Sequence, residues 1–390
     1  MIEHPTVGTG RLVAILLVIA VGEALFFSLL TPLLPYFERE FALSKTEAGL
    51  LVAVFAIGWI MGAIPPLLMG DLIGTKNILL VGLLILALTS LLFGIIDSYS
   101  MLLLLRFLQG VAATFCFSGA LAWLVDITPR QRRSETIGIY SGAAAAGSML
   151  GAGVGGLAGK LGLFPVLGVL SVLLLCVSVL IGLQSAPREP TLPSNASLWK
   201  VHYSRHIIGP QGLVILPGFL IGMILVLAPL ELNQVGLNSL EIGAVFFVAA
   251  AIGVLARPYV GRWADRQGAL VVLHRLLLLM IPLTLVVPWM SHEWIMPICV
   301  IVAVTTYGVC WGPSMVIVSR AYEDAHVAQL AGFALMSVTS GVGVVLGSAA
   351  AGAIADVAGD AAAYTLGALA CVAILIAYVS PSRRSMAGAS

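Results

Sequence analysis

Asp71-x-x-Gly74 returns as Asp265-x-x-Gly268, and the two copies stand 194 positions apart. The same displacement, without gaps, lays Pro35 on Pro229, Leu43 on Leu237, Glu47 on Glu241 and Gly49 on Gly243. A register held from position 35 to position 74 marks an internal duplication. A chain built this way folds as two similar units in series.

Composition decides the solvent those units meet. Apolar residues make up 60% of the chain and charged residues only 9%, where a soluble domain carries about 25% charged residues. A ~30 Å hydrocarbon core needs roughly 20 apolar residues per crossing. Such windows fall at 12–35, 47–69, 78–97, 101–124, 135–159 and 163–183, then at 208–231, 240–261, 270–290, 294–318, 327–355 and 362–380. Lipid leaves no partner for a bare backbone N–H or C=O, so each window is expected to be a helix. The expected fold is an all-α membrane protein of twelve transmembrane helices in two pseudo-symmetric bundles, residues 1–184 and 208–390. The stretch 185–207 holds Pro187, Pro190, Pro193, Ser194 and Asn195 and reads as the cytoplasmic linker. Trp199 to Arg205 is expected to add a short interfacial helix.

Lys and Arg placement orients the chain. With the N-terminus inside, fourteen fall on cytoplasmic segments and three, Arg39, Lys45 and Lys160, on external loops. Both termini are therefore expected in the cytoplasm. Arg11 ahead of an apolar run resembles a signal peptide, but the run is too long for one and contains Glu23, so it is expected as a retained first span. The five cysteines lie in spans without C-x-x-C spacing, and no metal or catalytic set is expected. A net charge of +1 points to no nucleic-acid partner.

The loop after the eighth span reads Gly261-Arg262-Trp263-Ala264-Asp265-Arg266-Gln267-Gly268. It resembles the signature loop of the major facilitator superfamily, and the resemblance extends over all twelve spans. The earlier copy is degenerate, with Leu67 and Leu72 in place of the usual glycine and arginine, but it keeps Asp71, Gly74 and Lys76. Physically, the glycine permits a sharp turn between helices, and the aspartate can accept hydrogen bonds or pair with Arg as a conformational latch. The plainer reading is a solvated turn carrying topogenic charge.

Two further stretches are similar to motifs of that superfamily. The fourth span carries Arg106-Phe107-Leu108-Gln109-Gly110, with Arg106 roughly 9 Å below the outer end. A charge at mid-membrane costs about 2.5–3.5 kcal/mol on insertion scales, so a role in anion binding, helix packing or tuning a carboxylate is weighed against snorkelling. The fifth span runs Gly138, Gly147, Gly151, Ala152, Gly155, Gly156, which resembles the antiporter motif of the superfamily's exporters with Ala152 at its proline position. Small residues at this spacing let helices approach closely and seal, although ordinary small-residue packing reads the same way.

Glu23 lies near the centre of the first window and is the one carboxylate deep in any of the twelve. Burial disfavours its ionised form and invites proton exchange, while the ionised form attracts a cation. The alternative is a glutamate held permanently by hydrogen bonds. The superfamily's arrangement implies a cavity lined by spans 1, 4, 7 and 10, with Ser28, Thr31, Thr114, Ser118, Tyr307, Trp311 and Ser314 as candidates. Glu231, at the end of the seventh span, is expected to face water.

Two similar membrane bundles can rock about a site between them. Together with the resemblance, this implies a secondary transporter that exports small lipophilic or cationic compounds against a proton gradient. No other cofactor is implied, and the chain is expected to act as a monomer in a cell's inner membrane. Uptake of a metabolite or organic anion is the rival reading. Glu23 maps by the same shift onto Pro217 and Arg106 onto Val300, so the two charges belong to the first half alone.

Overall fold

The computed structural model describes residues 7–65, 74–129, 132–185, 205–324 and 329–379. Among these, the regular elements are all helical, and twelve are long and apolar enough to cross a membrane. They are α1 Val7–Leu29, α2 Lys45–Gly62, α3 Thr75–Phe93, α4 Tyr99–Asp126, α5 Arg133–Leu161, α6 Leu163–Gly182, α7 Arg205–Gln234, α8 Ser239–Gln267, α9 Ala269–Val286, α10 Ile295–Asp324, α11 Gln329–Ala358 and α12 Asp360–Val379. A 3-10 turn, Thr31–Leu33, and a short helix, Leu34–Glu40, extend α1. The expected interfacial helix lies outside the described residues, apart from Arg205.

Two compact units emerge. The first comprises Met1–Leu33, Val54–Asn195 and Ser239–Phe247, and the second Leu34–Ala53, Ala196–Asn238 and Val248–Ser390. In the first unit α1 packs on α5 and α4, and α3 on α4 and α6. In the second, α7 packs on α11 and α10, and α9 on α10 and α12. The same four pairings occur twice, which is the duplication expressed as packing.

Glycines set the closest of these approaches. A Cβ on Gly147 or Gly151 of α5 would strike the carbonyl oxygens of Val21 and Leu25 of α1. In the second unit, Gly343 and Gly347 of α11 sit against the carbonyls of Ile215 and Phe219 of α7 in the same way. Val21 and Leu25 lie 194 positions before Ile215 and Phe219, but the glycines are offset by 196. The copies therefore differ by two residues inserted between the start of α3 and α5.

Gly74 and Gly268 take φ of 78° and 91° immediately before α3 and α9. Side chains with a Cβ avoid that region. The second glycine of each signature-like loop thus serves as the turn into the next helix.

Candidate functional site

Glu23 stands in an otherwise apolar stretch of α1 and is 3% exposed. Among the described residues it makes no hydrogen bond or ion pair, although its carboxylate lies close enough to act electrostatically on Cys116 of α4 and Tyr140 of α5. Tyr140 is buried, stacks edge-on against Phe117 at 5.6 Å and directs its hydroxyl toward the Phe117 carbonyl at 3.4 Å. Phe117 in turn meets Trp59 of α2 at 5.3 Å. The carboxylate thus lies within electrostatic reach of one thiol and one phenol, and no ion pair joins it to a cation among the described residues. Sequence reasoning passed over Tyr140. Its signal was the one aromatic side chain in a helix rich in glycine and alanine.

Arg106 is 2% exposed, so it does not snorkel. One terminal nitrogen donates to the Phe26 carbonyl of α1 and to Gln109 Oε1, both at 3.0 Å, while the guanidinium lies 4.5 Å from the Phe55 ring centroid. Its Nε has no partner among the described residues. The cation joins α4 to α1 and α2, and within the described residues its contacts contain no carboxylate. Arg106→Lys keeps the charge but cannot span a carbonyl, an amide and a ring face together. We expect this change to cost on the order of 1.5–3 kcal/mol, the size of one hydrogen bond to a charged group, read as a lower unfolding temperature. Equal melting of the two proteins would show that the contacts carry little.

The fifth helix presents small residues to two neighbours. Gly147, Gly151 and Gly155 face the carbonyls of Val21, Leu25 and Leu29 of α1, and Ser28 Oγ donates across the same seam to the Ser148 carbonyl at 2.6 Å. On another side, a Cβ on Gly156 would lie 2.9 Å from the Ser239 carbonyl, and one on Gly243 would lie 2.7 Å from the Ala152 carbonyl. Gly138 meets nothing within 4 Å. With alanine at position 152, α5 runs unbroken from Arg133 to Leu161.

The cavity candidates separate by environment. Thr31 is buried in the 3-10 turn. Thr114 is buried and donates to the Trp59 carbonyl at 2.7 Å. Tyr307 is buried and shares a 2.6 Å hydrogen bond with Thr284 of α9, and Ser314 bonds back to the Cys310 carbonyl at 3.0 Å. Ser118 and Trp311 are half-buried, and Trp311 Nε1 is enclosed without a partner among the described residues.

Of the latch residues, Asp71 lies outside the described residues. Gly261, Arg262, Asp265, Arg266 and Gly268 are exposed, with the Arg262 guanidinium 4.7 Å from the Tyr259 ring centroid. One expectation is corrected. Glu231 does not face water: it is 6% exposed and accepts a 2.8 Å hydrogen bond from the Tyr364 hydroxyl of α12. Its place at a helix end suggested exposure, but α12 covers it. No group of three or more potential metal ligands occurs among the described residues.

Comparison with known proteins places this architecture. The family model of the Major Facilitator Superfamily matches residues 16–338, and the chain belongs to that superfamily of membrane transporters. It is 35% identical over 128 residues to Multidrug resistance protein 2 of Bacillus subtilis, covering 33% of this chain and 32% of that protein. It is 30% identical over 130 residues to the quinolone resistance protein NorA of Staphylococcus aureus, covering 33% of each. The chain thus matches about a third of the length of these relatives. The fold is also that of a bacterial homologue of the human lysosomal transporter Spinster, with TM-score 0.73 at 16% identity over 95% of this chain and 94% of the other. The nucleoside transporter NupG has TM-score 0.75 at 13% identity, over 95% and 98% of the two chains.

Proposed function

We propose that this transporter exports small lipophilic or cationic organic compounds in exchange for protons, by alternating access in the cell membrane with both termini in the cytoplasm. The observation that carries this reading is Glu23: a carboxylate 3% exposed, with no hydrogen-bonding or ion-pairing partner among the described residues and set beside Tyr140 and Cys116. Such a group can hold a proton or a cation, but not both. Export draws further support from the glycine seam of α5, which leaves no side chain to prop open a water path. The names of the two bacterial relatives, multidrug and quinolone resistance proteins, point the same way. Arg106 supports a packing role in this reading, since its guanidinium is engaged by Phe26, Gln109 and Phe55. The proton gradient supplies the energy, and a single chain suffices.

The test is ethidium transport in everted membrane vesicles acidified inside. We expect ethidium to accumulate and the accumulation to collapse when a protonophore is added. Uptake of an organic anion such as benzoate into right-side-out vesicles, with ethidium untouched, would instead establish the metabolite-carrier reading.

A further inference from the structure

The duplication generates two comparable seams, and the two are chemically unlike. In the first unit, Gly156 of α5 lies against Ser239, at the start of α8, and Gly243 lies against Ala152. In the second, Gly352 of α11 lies against Lys45, at the start of α2, and Gly49 lies against Ser348. These contacts correspond under the offsets of 194 and 196. The α2–α11 seam carries an additional set of polar bonds. Asp356 accepts from the Lys45 amide at 2.9 Å, from the Thr46 amide at 2.7 Å and from the Thr46 hydroxyl. Just beyond α11, Lys45 Nζ reaches both oxygens of Asp360, the first residue of α12, at 2.6 and 2.7 Å in a half-buried ion pair. Glu38 and Glu231 lie near enough to act on that pair.

This is more than a routine helix start, because α2 already has a local cap. Ser44 and Glu47 bond each other's backbone amides at 2.9 and 3.2 Å, forming a capping box. Asp356 is a second, long-range cap that exists only while the two helix ends are together. The positions of the first copy that match Asp356 and Asp360 are Lys160 and Phe164, so no carboxylate stands there to act on the start of α8.

We propose that Asp356, Asp360 and Lys45 form a polar latch that holds the α2–α11 seam shut and must open in each transport cycle. In the seam between α5 and α8 the matching glycines make the same close approaches, and the positions that match Asp356 and Asp360 carry no carboxylate. An odd number of crossings separates the start of α2 from the N-terminus, so the latch lies on the membrane face opposite the termini.

Hydrogen–deuterium exchange on the full chain in lipid nanodiscs tests this without any substrate. In Asp356→Asn and in Lys45→Met, exchange is expected to rise about tenfold along residues 45–53 and along the facing residues 346–356, the change produced by losing one strong cap. Residues 239–247 should keep wild-type exchange, and Lys45→Arg should match wild type throughout. A rise confined to the amides of Lys45 and Thr46 would identify a local cap and overturn the latch, as would unchanged exchange. Should Asp356→Asn fail to fold, the contrast between Lys45→Met and Lys45→Arg decides on the same terms. Failure here would leave proton-coupled export intact, since that reading rests on Glu23 in the other unit.

Discussion

Glu23→Gln should abolish proton-driven ethidium accumulation while the protein inserts and accumulates as before. Glutamine keeps the size of the protonated side chain but can neither lose a proton nor attract a cation. If the exchanged proton and the cation share this carboxylate, removing its charge costs what truncating one partner of a buried charge pair costs, about 2–5 kcal/mol, or roughly 30-fold to several thousandfold in affinity. The stability expectation runs in the opposite direction. Glu23 is 3% exposed and forms no hydrogen bond with a described residue, so an uncharged amide removes a desolvation penalty. Melting should therefore hold or rise while coupled flux disappears. Glu23→Asp keeps the charge with a shorter reach and should retain a reduced flux. Unchanged pH-driven flux in Glu23→Gln would remove Glu23 from the mechanism.

Much of this molecule is legible in its sequence because lipid narrows the choices. An apolar run in hydrocarbon must satisfy its own backbone, and helices do so alone, so each of the twelve windows falls on one of twelve helices, although some ends, such as that of the window 47–69 against Lys45–Gly62, lie several residues apart. The glycine pattern of α5 was equally legible as close packing, since a missing side chain records a near neighbour wherever one exists. What stayed hidden depends on which neighbour arrives. Glu231 sits at a helix end, where a side chain meets water unless another helix covers it, and only the fold brings Tyr364 there. Tyr307 looked free to line a cavity because nothing at its position announces Thr284, 23 residues earlier. Lys45 and Asp356 are separated by 311 positions, and the two-residue slip between the copies hides the match of the α2–α11 and α5–α8 seams from an ungapped comparison.

The largest structural effect belongs to Gly151. A Cβ there would collide with the Leu25 carbonyl oxygen and lie 2.8 Å from Ser28 Oγ. The first of these obstacles is helix backbone, which cannot rotate aside as a flexible side-chain tip can. Overpacking of a core typically costs about 1–3 kcal/mol even where side chains can shift, so Gly151→Ala is expected to lower the melting temperature, and Gly151→Leu to leave little folded protein in the membrane. Gly347→Leu should fail alike, because Gly347 meets the Phe219 carbonyl in the matching seam. Gly138 provides the internal contrast. It belongs to the same sequence pattern, yet it is exposed and has nothing within 4 Å of its would-be Cβ. Gly138→Ala should therefore be neutral or stabilising by up to about 1 kcal/mol, the gain in helix propensity. Size-exclusion profiles and melting curves of the four variants separate the two ideas. If all the motif glycines respond alike, the pattern acts as a unit; if Gly151 and Gly347 fail while Gly138 gains, the close approach of backbones is what requires glycine.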